Sequence, residues 1–396
     1  MTGELTATPV RWLGAPAPGG LALPSARATP AQLYAPRGVF LDARWLAVAD
    51  SGNHRVLLWR GLPGADGAPA DVVLGQPSAW TEGPRGGGRG PENGLHLPAG
   101  LAIVEGRLLV ADSWHHRILV WDEVPERSDT PPDWALGQPD LSSIEPNRGG
   151  TVSAAGLYWP YGLGFVDGRL YVADTGNRRV LAWNELPAHD RPADVVLGQP
   201  DMASAGENRG GPPSARSFRW PHAVAGARGR GATGESERLY VADAGNHRVL
   251  GWAGAPFRAD GADRDADLVL GQSDFAANSE LPHLPQTAAT LRFPYGLASD
   301  GLALAVADTA NNRILLWRRA PGPPGPPYAP ADLVLGQEDF AHNGENRWRA
   351  VAHDTFCWPY GLHLDAGRLA VADSGNNRVM IWDVRSALAP RENRED

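Results

Sequence analysis

Residues 112–121 read DSWHHRILVW. Two adjacent histidines between a tryptophan and an arginine invite a catalytic or metal-binding reading, but the stretch is not alone. DSGNHRVLLW starts at Asp50, DTGNRRVLAW at Asp174, DAGNHRVLGW at Asp243, DTANNRILLW at Asp308 and DSGNNRVMIW at Asp373, with aspartates spaced by 62, 62, 69, 65 and 65 residues. A proline-initiated apolar run precedes each copy, as in PYGLGFVDGRLYVAD at 160–174. An LGQ triplet follows five of them, at 74–76, 136–138, 197–199, 270–272 and 335–337. The repeat therefore spans the chain, which is the first thing to establish in a sequence of 396 residues.

Within a unit, GLGF, RLYVA, RVLAW and DVVLG are short β-branched or aromatic runs separated by Gly, Asp, Asn and Pro, the pattern of four consecutive antiparallel strands. Six such units predict an all-β fold, a six-bladed β-propeller. From proline to LGQ glutamine the units measure 41, 41, 40, 52 and 44 residues, close to the roughly 40–45 residues of a four-stranded blade. The longest carries RGRGATGESE (228–237), read as an exposed loop. The sixth unit has no LGQ after Trp382, while RWLG at 11–14 stands unpaired before Pro36. If the strand around Trp12 and Leu13 joins the sheet ending at 378–383, the ring closes without an open edge. Residues 11–385 are then one propeller, with 1–10 and 386–396 as tails.

All 36 basic residues are arginine, so lysine Schiff-base and P-loop chemistry are excluded. The net charge of −9 offers no global attraction to nucleic acid or an anionic membrane. Cys357 is the single cysteine, which leaves no intrachain disulfide and no cysteine-built zinc site. Neither a basic-then-apolar leader nor an 18-residue apolar run is present. A monomeric cytoplasmic protein without a cofactor is the expectation.

The repeats resemble the NHL family, whose blades carry a Pro-x-Gly start, a Tyr-Val-Ala-Asp strand and an Asn-His or Asn-Arg turn. Here these stand as Pro160, Gly162, Tyr171 to Asp174, and Asn177 with Arg179. The fourth copy departs, with Pro221-His222-Ala223. The resemblance implies the propeller fold. It leaves function open, because similar propellers include RNA-binding modules, sensors, scaffolds and a few metal-dependent lyases.

In the turn register, His115 aligns with Asn53, Asn177, Asn246, Asn311 and Asn376. Asn and His tolerate positive φ, so His115 is expected as the left-handed turn residue rather than a ligand. His116 occupies a position that also holds His, Arg or Asn. The pairs Asp50–Arg55 through Asp373–Arg378, and the ring Trp59, Trp121, Trp183, Trp252, Trp317 and Trp382, recur in every unit. They are expected to serve the fold, the tryptophans as packing between blades.

Between each LGQ glutamine and the next proline lie 21 residues in all five internal cases. This constant length predicts ordered segments that build a collar around one mouth of the channel, pinned by Leu95, Leu157, Phe218, Leu291 and Phe356 and by the pre-proline residues Leu97, Trp159, Trp220, Phe293 and Trp358. Counting 16–35 as a sixth segment, the collar carries a net −2, unlike a nucleic-acid footprint. The arginines of NRGG (147–150), ENRGG (207–211) and ENRW (345–348) are expected to pair within their loops. Where blades differ, function is sought: Arg37, Ala99, Tyr161, His222, Tyr295 and Tyr360 follow the blade prolines and should ring the entrance. Arg37, Tyr161, His222, Tyr295 and Tyr360 are the candidate rim contacts, and Trp80, Trp114 and Trp348 the candidate hot spots on the collar face. The expected function is a non-enzymatic scaffold that binds a protein partner, or a small ligand, at this mouth. The alternative is a metal-dependent lyase or hydrolase, but His96, His222 and His363 occupy unlike registers and no catalytic or metal set emerges.

Overall fold

A computed structural model describes residues 7–15, 27–231, 234–257, 263–279, 286–322 and 328–389, with the side chains of 228–236 set aside. Six four-stranded antiparallel sheets form the chain. The first blade runs through Gly38–Leu41, Trp45–Asp50, Arg55–Arg60 and Val72–Leu74, and the next four repeat this order. In the sixth, Pro359–Asp365, Arg368–Asp373 and Arg378–Asp383 are joined by Thr8–Gly14, with Trp12 opposite Met380 and Leu13 opposite Val379. The first and last described strands thus lie in one sheet. That strand starts at Thr8, inside the expected tail. At the other end Arg385–Leu388 forms a helical turn whose Ala387 is buried and accepts a hydrogen bond from Arg318 Nε at 2.8 Å, so order also extends past 385.

The hydrophobic core is divided among blade interfaces. Each apolar cluster draws on two neighbouring sheets, such as Leu109, Ile118 and Leu136 with Leu170, Val172 and Trp183. The cluster of Leu13, Val39, Leu46 and Ala370 spans the sixth and first blades. The six repeated tryptophans are all buried in these interfaces, and five donate their indole N–H to a carbonyl of the loop before the outer strand.

Each unit also carries a buried ion pair. The Asp that ends the second strand lies opposite the Arg that starts the third, with Nε–Oδ2 distances of 2.7–2.9 Å and no solvent exposure on either side chain. The other carboxylate oxygen accepts a backbone N–H from the segment that enters the blade, at 2.6–2.8 Å. Arginine Nη2 donates to two carbonyls of that same segment, for example Ser153 and Gly156 from Arg179. In the first five blades Nη1 donates to the segment that leaves, at Ala79, Leu141, Met202, Phe275 and Phe340. Burial raises the carboxyls of Asp50, Asp174 and Asp373 against the pull of the guanidinium. At Asp112 burial acts the same way, but His115 and Arg117 together outweigh it and hold the carboxyl below its ordinary value.

The collar segments are stapled a second time. The LGQ glutamine donates to the turn carbonyls and to a carbonyl seven residues on, as Gln138 does to His115, His116 and Glu145. The preceding glycine adopts positive φ, 82–92° across the five copies. A Cβ on Gly137 would stand 2.5 Å from Leu157, so glycine is what lets the buried Leu157 anchor seat.

Three expectations need correction. The left-handed turn residue is one position later than read: His54, His116, Arg178, His247, Asn312 and Asn377 have φ of 53–57°. His115 is selected instead by the aspartate, with its Nδ1 2.8 Å from Asp112 Oδ2, where Asn53, Asn177, Asn246, Asn311 and Asn376 place Nδ2. The second correction concerns His116, whose position is not indifferent. His54, His116 and His247 through Nδ1, and Asn312 and Asn377 through Oδ1, accept the N–H of the pre-proline residue of the next blade at 2.8–3.3 Å. His and Asn satisfy both demands, positive φ and an acceptor. Third, RGRGATGESE is no plain loop. Pro221–Gly231 and Gly234–Asp243 stay paired out to Gly231–Gly234, so the insertion lengthens the hairpin.

Two measurements probe this arrangement. Removing residues 1–15 exposes the outer edge of the sixth blade, so a broadened or aggregating thermal transition is expected, whereas an unchanged melting curve would show that the strand is dispensable. His115→Asn keeps the bond to Asp112 and removes the buried Nε2 that has no partner. Its melting temperature should equal or exceed that of the wild type, and a marked fall would show a further role for the imidazole.

Candidate functional site

The five rim candidates converge on the channel axis. Tyr161 and His222 lie 4.3 Å apart between ring centroids, His222 and Tyr295 4.2 Å, and Tyr295 and Tyr360 4.8 Å. Arg37 closes the circle, with Cζ 5.5 Å from the Tyr360 centroid and 5.9 Å from that of Tyr161. Its Nη1 also donates to the Tyr161 hydroxyl at 3.4 Å. The remaining position is Ala99, small enough for Arg37 to reach across it. Expected to ring the entrance, these side chains pack on one another and narrow the channel to a cavity of about 80 Å³. They form a floor. Burial pushes Tyr295 and Tyr360 up, while burial and then Arg37 pull His222 down to about 3, so its imidazole is neutral.

Above this floor stands a second tier that the sequence reading misassigned. Leu97, Trp159, Phe293 and Trp358 do not pin the collar, since all have positive φ of 49–50° and turn away from the blade interfaces; Trp220 shares their partial exposure. The anchoring belongs to Leu95, Leu157, Phe218, Leu291 and Phe356, which are at most 1 % exposed. Trp358 is 52 % exposed. Trp220 and Phe293 face each other at 6.3 Å, and Phe293 lies 6.3 Å from Tyr295. The available signal was an aromatic residue before the blade proline where Leu97 would have sufficed.

The hot-spot candidates fall into three places. Trp348 borders a cleft of about 470 Å³ together with Phe293, Tyr295, Trp358 and Tyr360. Trp114 lies 5.7 Å from Trp159 and 5.5 Å from His96, within an aromatic run that continues to His54. Trp80 is exposed on its own segment, apart from both groups. Of the collar arginines only Arg347 pairs within its own loop, with Asp354; contrary to expectation, Arg148 and Arg209 reach Asp190 and Asp263 in the loops before the outer strands of the third and fourth blades.

Below the floor the channel widens to about 440 Å³ between apolar walls. His363 stands there, 4.4 Å from Phe40, its Nδ1 accepting the Leu41 N–H at 3.2 Å. His96, His222 and His363 therefore occupy different places. Among the described residues no three His, Cys, Asp or Glu side chains are placed to hold a metal ion, and no helix is long and apolar enough to cross a membrane.

Residues 95–121, the stretch containing the histidine pair, match the NHL repeat family model. This chain carries an NHL repeat in a six-bladed β-propeller. No curated protein sequence matches it. Among solved structures, the chain is similar to a Bacteroides thetaiotaomicron protein of unknown function (11 % identity, TM-score 0.46, covering 95 % of this chain and 74 % of that one). It is also similar to a catalytically inactive Staphylococcus aureus virginiamycin B lyase with quinupristin (9 %, 0.43, covering 91 % and 97 %). A third is the PQQ domain of pyranose dehydrogenase from Coprinopsis cinerea (13 %, 0.46, covering 94 % and 100 %).

Burial holds His54, His116 and His363 near 4 and His222 near 3, below the ordinary 6.5. The folded propeller thus binds fewer protons at these histidines than the unfolded chain under acid conditions. Their contribution to stability is complete above about pH 6.5 and falls as the pH drops toward about 4. A melting temperature that declines steadily over that window is expected, and a flat profile would refute neutral burial of these rings.

Proposed function

We propose that the protein is a binding propeller that engages a protein partner through the collar-side mouth of its channel. The observation that supports this reading is the second tier of aromatic side chains at that mouth. Trp114, Trp348 and Trp358 are 44 %, 79 % and 52 % exposed, although large apolar side chains left in water are a cost unless something covers them. Aromatic and arginine side chains dominate binding hot spots, the aromatics because they bury much area with few rotors to freeze. The collar gives these groups a rigid mount, stapled by buried arginines and glutamines. The ring of Arg37, Tyr161, His222, Tyr295 and Tyr360 supplies the floor on which an inserted loop would rest.

The test uses the full chain as bait, identifies a partner, and then measures that partner's affinity for single variants. Trp114→Ala, Trp358→Ala and Tyr295→Ala should each weaken binding by about tenfold or more. The two tryptophan variants should keep the wild-type melting temperature, since those side chains are substantially exposed. Unchanged affinity in all three variants would move the interaction surface to the opposite face, toward the lengthened fourth-blade hairpin.

A further inference from the structure

We propose that the cleft beside Trp348 binds the alkylammonium head group of an organic cation. This rests on the reading of the collar-side mouth as the binding face and assigns it a ligand chemistry. Phe293, Trp348 and Trp358 border the cleft, with Tyr295 and Tyr360 at its base. Aromatic faces carry negative potential, and tryptophan is the strongest of them toward a cation. Glu345 also borders the cleft and makes no ion pair among the described residues, so its charge is uncompensated by them. Arg292 lines the same cleft and already has a partner of its own. The collar segment that supplies Glu345 and Trp348, residues 338–358, holds four acids against two arginines. A cation entering here meets several ring faces and a carboxylate held in no ion pair among the described residues, while Arg292 on the same lining is already engaged with its own partner.

A second observation points to the same place. Asn346, Arg347 and Trp348 form a run of left-handed residues with φ of 48°, 57° and 57°. The corresponding third position is Gly87, Gly149 and Gly210 in three other segments, with φ of 69°, 72° and 79°. Only a residue without Cβ adopts this conformation freely. Trp348 is therefore held in a backbone state suited to glycine, and burial does not repay it, because the side chain is 79 % exposed. The indole lies against Gly344, where a Cβ would come within 2.5 Å of its Cδ1, so the ring is positioned rather than loose. A strained, exposed and positioned tryptophan beside a carboxylate has the form of a wall of an aromatic cage.

The full chain is titrated with choline, with its uncharged carbon isostere dimethylbutanol and with glucose, following tryptophan fluorescence and heat. Saturable choline binding is expected, at least about tenfold tighter than dimethylbutanol. Glu345→Gln and Trp348→Gly should each weaken choline by about fivefold or more. Trp348→Gly should meanwhile keep or raise the melting temperature, since it restores the residue the turn prefers. Glu345→Gln gives an independent reading with the backbone untouched. Comparing choline with a peptide bearing trimethyllysine separates a free small molecule from a modified protein as the source of the head group. No choline saturation, equal affinity for dimethylbutanol, binding of glucose in place of choline, or wild-type affinity in both variants would each overturn the assignment. If those results came with loss of partner binding in Trp114→Ala and Trp358→Ala, the mouth would remain a protein-binding surface and only the cation site would fall.

Discussion

Everything at the collar-side mouth depends on a buried aspartate–arginine pair repeated once per blade. Taking two charges out of water costs more than their attraction returns unless the remaining hydrogen-bonding capacity is also satisfied. Here most of it is. The carboxylate accepts from its arginine, from the neighbouring Asn or His115 and from an incoming backbone N–H, while the guanidinium donates to carbonyls of the segments entering and leaving the blade. The pair's main product is therefore conformation. Long connections without regular secondary structure are usually mobile, but these have their backbone carbonyls consumed by charged donors. Their ends are fixed to within a hydrogen bond, and so are the side chains they present.

This anchoring divides labour between the two tiers of the mouth. Identical devices in every unit, including the leucine or phenylalanine three residues before the proline, carry the fold. That frees the pre-proline residue and the one after it to vary. The residue after the proline became the floor, where Arg37 spans the gap at Ala99. The pre-proline residue became the wall, turned outward by its positive φ and held by the His or Asn of the previous blade. At the entry to the fourth blade, Arg178 of the third replaces that acceptor, and Trp220 is not among the residues of positive φ. The coupling is local: acceptor and backbone conformation change together.

The architecture was legible because the propeller writes its constraints six times. The spacing of Asp50 and its relatives, the LGQ triplets and the buried tryptophans give blade number and strand order without reference to any single residue. What could not be read was the assignment of roles within three consecutive residues. Asn53 and His54 are both compatible with positive φ, and only the hydrogen bond from Asn53 to Asp50 and the one to His54 from Leu97 separate them. Nor does sequence distinguish an apolar residue that anchors from one that faces outward. Leu95 and Leu97 are chemically identical, and their different fates follow from a backbone φ of 50° at Leu97. The exposure of Trp80, Trp114 and Trp348 could be anticipated because each is a singular aromatic in a repeated frame. Trp358 was missed because its column is filled mostly by aromatics, which looked like a packing requirement.

That contrast gives a general way to weigh residues in a repeat protein. A departure from the consensus that relaxes the fold can be neutral drift, as where Ala244 stands in place of the Ser or Thr that, as Ser113 or Thr175, bonds the next blade's proline carbonyl. A departure that burdens the fold is different, since a left-handed backbone costs an L-residue with a bulky side chain about 1–2 kcal/mol, and a variant reverting to glycine would be more stable. Trp348 carries that cost while exposing its ring to solvent. Stability does not account for its presence, and that imbalance is the ground on which we propose a ligand against the ring, in the collar segment where the six-fold frame is broken.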